Sequence, residues 1–181
     1  MIKEYEFYHG VVFTKLIHGI DEISCVRAYN KTNNAAYVLN EGVGLYIKHS
    51  SKRMSPWNFS FLKSHQDELL EMTATLKEVF LILVCGEDGV VTLGFNDIKK
   101  ILNEVHGNIE WISASRPPRK EYTVKGSDGS LGRKVGKNDF PKKIIEAIKR
   151  MKGADDASST NEILTDTKSE DECNESIKYF V

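Results

Sequence analysis

From Tyr5 to Leu16 the bulky positions return every third or fourth residue, as Tyr5, Tyr8, Val12 and Leu16. That spacing predicts an amphipathic helix, ended near Gly19. The period then shortens. Residues 23–29, 35–40 and 43–49 are short β-like runs, and Glu41-Gly42 between the last two predicts a hairpin in which Gly42 takes the positive φ. Residues 50–62 are polar and aromatic, are broken by Pro56, and read as a loop. Ser64 followed by Asp67 opens a second helix reaching about Leu76. Residues 79–85 are apolar throughout, as in a strand covered on both faces, and Gly86-Glu-Asp-Gly89 turns the chain into a strand over 90–93. Asn96 or Asp97 can cap a third helix with an apolar stripe of Ile98, Ile101, Leu102 and Val105. A strand over 110–115 stops at Pro117-Pro118, and 120–125 with 131–135 predict a hairpin around Gly126-Ser-Asp-Gly129. The last helix starts at Asp139, with Pro141 in its first turn and Ile144, Ile145 and Ile148 facing inward.

The elements add up to an α/β (α+β) domain over 1–152: a central mixed sheet flanked by helices, then a β-hairpin and a helix. From Gly153 the composition turns to Ser, Thr, Asn, Asp and Glu, so 153–181 reads as an acidic, disordered tail. Its end, Ile177-Lys178-Tyr179-Phe180-Val181, is apolar apart from one lysine and could dock on the domain's own basic face or on a protein partner. A chain of 181 residues builds one core. No apolar run approaches the ~18–20 residues of a membrane span, and the acids Glu4 and Glu6 stand where a secretory leader would be apolar. Cys25, Cys85 and Cys173 are odd in number and far apart, which points to a reducing, cytoplasmic setting without a membrane.

Charge divides along the chain. Residues 154–181 carry eight acids against two lysines, while 1–153 carry 23 basic side chains against 18 acids. Two stretches hold most of the candidate chemistry. In 44–61, Lys48 ends a strand that is otherwise apolar; Lys52 and Arg53 follow, then Trp57, Phe59 and Phe61 at alternate positions, with no acid nearby. Cations beside aromatics offer phosphate contacts and base-stacking surfaces, although the same aromatics could simply plug the core. In 115–152, twelve cations, among them Arg116, Arg119, Lys120, Arg133 and Lys134, face four acids. Such a ribbon and helix suit a polyanion, DNA or RNA, or else form an ordinary solvated face balanced by the tail. The five histidines show no HxxxH or HxH pairing, so they do not announce a metal cluster. Cys25 and Cys85, inside apolar runs, read as core.

Over residues 3–85 the order helix, three-strand meander, helix, strand resembles the core of the PD-(D/E)XK nuclease superfamily, the restriction-endonuclease-like fold. In that family the second strand supplies an acid, the third an acid and then a lysine two positions later, and the first helix often a glutamate. Carboxylates hold Mg²⁺ against the scissile phosphate while the lysine stabilises charge. Lys48 matches the lysine, and Glu4 or Glu6 the helix acid. Tyr46 stands where the family has Asp or Glu, and the second strand offers Asn34 and Asn40, with Glu41 in the turn the nearest acid. The resemblance implies a nucleic-acid-binding protein and, if it cuts, a Mg²⁺-dependent hydrolase. Lys48 would then stabilise charge, and Glu41 with Glu6 or Glu68 (or Glu71 on the same helix) would hold the metal. The competing reading is a non-enzymatic interaction or regulatory module with a basic face and an acidic tail.

Overall fold

The computed structural model describes residues 1–19, 21, 23–30, 34–40, 42–103 and 109–169, the last fifteen of these as backbone only. Met1–Ile148 form one compact unit and Lys149–Val181 a second. The first unit is α+β and holds two sheets. One is a five-stranded mixed sheet in the order β1 (Val26–Ala28), β2 (Ala36–Leu39), β3 (Val43–Ser50), β5 (Glu78–Cys85), β6 (Gly89–Gly94). The other has three strands, in the order β4 (Trp57–Leu62), β7 (Ile109–Ser115), β8 (Thr123–Gly126). Around them lie α1 (Glu4–Ile17), α2 (Lys63–Thr75), the single turn α3 (Phe95–Ile98) and the start of α4 (Asp139–Ser169).

In the first sheet β1, β2 and β3 form an antiparallel meander; β5 lies parallel to β3 and β6 returns antiparallel. A parallel neighbour requires a crossover, and β4 with α2 supplies it. β5 is buried from Val79 to Cys85, as its continuous apolar run predicts. β3 is buried from Val43 to Ile47 and emerges at Lys48, where the apolar residues end. Gly44 lets α2 press on this strand: a Cβ there would sit 2.8 Å from both Met72 Cε and Leu76 Cδ1. α1 is closed at its start by Glu6, whose carboxylate accepts the Lys3 amide at 2.7 Å.

Several expectations are corrected. The hairpin between β2 and β3 forms, but Asn40, at φ 45°, takes the left-handed turn, a conformation that Asn tolerates. Its side-chain oxygen accepts from the Ser24 and Cys25 amides at 2.9 and 3.2 Å, which binds the chain before β1 to the turn. Residues 57–62 are a strand rather than a loop: Trp57, Phe59 and Phe61 point inward and Asn58, Ser60 and Leu62 outward. β8 pairs with β7, and the hairpin expected over 120–135 is reduced to the bridges Tyr122↔Val135 and Lys125↔Ser130. Cys25 is exposed, while Cys85 is in the core. α4 continues to Ser169, beyond the domain end read at residue 152, and 170–181, with the apolar end of the tail, lie outside the described residues. Among the described residues no helix is long and apolar enough to cross a membrane.

Candidate functional site

The ends of β3 and β4 and the facing sides of α1 and α2 enclose a polar cleft of about 1080 Å³. Lys48 lies where the elements meet. Its amine donates to the Ser60 carbonyl on β4 and to His65 Nδ1 on α2, each at 2.9 Å, and lies 4.9 Å from the Phe61 ring centroid. Burial alone lowers its pKa from 10.5 to about 8, and among the described residues no carboxylate pairs with it. A buried cation balanced only by neutral acceptors is at a disadvantage until an anion arrives.

His65 owes its place to the helix it starts. Three residues beyond Leu62, its Nδ1 accepts the Leu62 amide at 3.2 Å as well as the lysine proton. Two donors on Nδ1 leave the ring proton on Nε2. Burial and then the charge of Lys48 lower its pKa, so the ring is neutral.

Opposite, α1 contributes His9 and Tyr5, and β3 contributes His49. Tyr8 stacks on His49 with centroids 4.6 Å apart, and His9 Nδ1 lies 2.9 Å from the Tyr37 hydroxyl. Burial, followed by repulsion from His49, depresses His9 to about pH 4. Burial also lowers His49, against the pull of Glu4. Tyr37 is raised, by burial first and then Tyr5. The α2 wall supplies Asp67, Glu68 and Glu71, the last accepting the Tyr29 hydroxyl at 3.3 Å. The site can therefore meet an anion with Lys48, among imidazole and phenol side chains that are neutral near pH 7.

Of the residues singled out from sequence, Lys48, Glu68 and Glu71 meet in this cleft. Glu6 is exposed and turned to its own helix, and Glu41 lies outside the described residues. Among the described residues no group of three or more His, Cys, Asp or Glu could hold a metal ion. Of the two readings of Trp57, the core one holds and the stacking one does not: it is 2% exposed, its indole N–H donates to the Lys52 carbonyl at 2.7 Å, and its ring meets Tyr122 edge-on. Lys52 and Arg53 are exposed before β4. Arg116 is half of a partly buried ion pair with Asp88, and Arg133 pairs with Asp97, so neither is a spare cation. Arg119 and Lys120 are exposed after β7, and Lys134 donates to the Thr123 hydroxyl. The cleft histidines were missed because residues at 9, 49 and 65 meet only through the fold; a His three positions after the strand end at Leu62 was the one local sign. Compared with known proteins, the chain matches no family model, no curated protein and no solved structure.

Proposed function

We propose that the protein binds nucleic acid, DNA or RNA, and receives a backbone phosphate in the cleft at Lys48. The observation that carries this reading is a half-buried amine at the end of the third strand, held by a carbonyl and a neutral imidazole, in a cleft whose carboxylates stand on the α2 wall and do not offset its burial. A phosphate oxygen is the anion that would relieve it, and at low local dielectric the attraction is much stronger than in water. The order α1, β1–β3, α2 and β5, interrupted by β4 between β3 and α2, together with a lysine at this strand end, also supports kinship with the restriction-endonuclease-like proteins. Lys52, Arg53, Arg119 and Lys120 are exposed and available for further phosphates.

Binding to labelled DNA and RNA across a salt series tests the reading. Log K should fall by roughly 0.7–0.9 per log unit of salt for each phosphate contact. Lys48→Ala should weaken binding about tenfold and reduce the slope by about one contact. Absence of salt-sensitive binding to every single- and double-stranded form rejects it.

A second reading, a non-catalytic interaction module, is favoured by Tyr46, fully buried where the nuclease family carries its acid. Incubating substrate with Mg²⁺ separates the two. Cleavage that disappears in Lys48→Ala supports a nuclease; cleavage unchanged in Lys48→Ala removes Lys48 from the chemistry; binding without cleavage supports the module.

A further inference from the structure

Among the described residues, the side of the second sheet turned away from the core is open. Its outward positions are Asn58, Ser60 and Leu62 on β4, alternate residues from Ile109 to Ser115 on β7, and Thr123 and Lys125 on β8. In the middle strand stands Trp111, 45% exposed, beside the cross-strand pair of Leu62 and Ile109, exposed to 44% and 67%. Together the three side chains form an apolar patch on a polar face, the kind of surface that marks an interaction site. The backbone beneath it is fixed. The Trp111 amide donates to Ser127 Oγ at 2.8 Å, and the Ser127 amide donates back to the Trp111 carbonyl at 3.0 Å.

Two features say what the ligand is. The strands place no acid on this face, since their single carboxylate, Glu110, points inward and is 5% exposed. Lys125 stands on the face, and Lys134 reaches the same edge through Thr123. The face also leads into the cleft: Ser60, directly opposite Trp111 in the sheet, is the residue whose carbonyl holds the Lys48 amine. An indole on a face that carries Lys125, with Lys134 at its edge and Ser60 leading to the Lys48 amine, has the chemistry of a platform for unpaired bases.

We infer that the open face of the second sheet binds single-stranded nucleic acid, with a base stacked on Trp111, phosphates met by Lys125 and Lys134, and the strand running toward Lys48. This rests on the nucleic-acid reading and adds to it a substrate class and a residue. A duplex, whose bases are already stacked, gains nothing from Trp111.

The test uses the full chain and labelled oligothymidylate beside a duplex of equal length. Trp111→Ala should lower single-strand affinity by roughly 5- to 150-fold, the range for one stacked base, and leave duplex binding and the salt slope nearly unchanged. Trp111→Phe should recover much of the loss, and oligothymidylate should quench the tryptophan emission of the wild type. Lys125→Ala should reduce the salt slope by about one contact. Wild-type protein that binds no nucleic acid overturns both proposals. Full single-strand binding by Trp111→Ala overturns the platform while the cleft reading stands. If Trp111→Ala instead turns a self-associating protein into a monomer without changing single-strand affinity, the face serves contact between copies and the platform is rejected.

Discussion

Lys48 and His9 are both partly withdrawn from water, which disfavours their charged forms, and each leaves a mark on stability. The Lys48 amine titrates near pH 8 when folded, against 10.5 when free. Between these values the unfolded chain binds more protons, so stability rises with pH across that window. Below pH 8 the folded protein carries a charge that burial disfavours. Lys48→Met should therefore stabilise it at pH 7 by about 1–3 kcal/mol in urea unfolding and abolish the alkaline rise, while binding is lost. A less stable variant would mean that the bonds to Ser60 and His65 outweigh burial, and that the lysine is structural. His9 falls to about 4 from 6.5. Its contribution is complete above pH 6.5 and is lost progressively as the pH drops toward 4, so unfolding midpoints should fall over that range and His9→Gln should flatten the fall. An unchanged acid limb in His9→Gln would place the acid sensitivity elsewhere.

Elements are joined across the two sheets by a small polar cluster. Asp88, in the turn between β5 and β6, accepts from Arg116 beyond β7 and from the hydroxyl of Tyr122 before β8. Hydrogen bonds from Arg116 are the main cause of its lowered pKa. Removing one member leaves a partly buried guanidinium unpaired, so Asp88→Ala should cost about 2–4 kcal/mol, measured by denaturant unfolding at pH 7. The pair's contribution holds above the free carboxyl's pKa near 4 and disappears below it, so mutant and wild type should converge in acid. Equal stability at pH 7 would show the pair to be idle. At β3, Gly44→Val should cost roughly 1–3 kcal/mol, because Met72 and Leu76 occupy the space its side chain needs; a neutral result would mean that α2 moves aside freely. The same elements show how much the sequence disclosed. β2, β3, β5 and β6 were legible because apolar runs and Gly turns are local signals. β4 was not: its alternating Trp57, Phe59 and Phe61 were visible, but Pro56 and the nearby cations masked the period of two. α3 proved a single turn, since propensity over 96–105 is weaker than the packing of Ile98, Ile101 and Leu102 into the core. In the site, Lys48 was legible as a cation ending an apolar strand. The histidines and the cluster of Asp88, Arg116 and Tyr122 were not, because such proximity belongs to tertiary structure, and exposed Trp111 carried no pattern that set it apart from buried Trp57.

Across the whole molecule the positive charge of 1–153 is less available than its total implies. Arg116 and Arg133 are consumed by Asp88 and Asp97, Lys142 and Lys143 pair within their own helix, and the exposed cations, among them Lys52, Arg53, Arg119, Lys120 and Lys125, come from several different elements. Dispersed charge of this kind favours a ligand that winds over the surface more than one that docks at a single patch. The way the second sheet is assembled has a consequence in time. β4 pairs with β7 from Leu62↔Ile109 to Trp57↔Ala114, partners roughly fifty residues apart, with α2, β5 and β6 between them. Closing so long a loop costs entropy before any contact offsets it, whereas the meander of β1–β3 and the pair β5–β6 are local. The chain should thus reach a state with its first sheet made and its second unmade, in which Ser60 is not yet in place to hold Lys48. Pulse-labelled hydrogen exchange during refolding should protect amides of β5 and β6 before those of β4 and β7; simultaneous protection would mean that the two sheets form as one cooperative unit. On a ribosome the order is stricter still, because β4 has been made long before its partner leaves the tunnel. Until then its row of Trp57, Phe59 and Phe61 has no covering strand, and this is the interval in which the nascent protein is most exposed to aggregation.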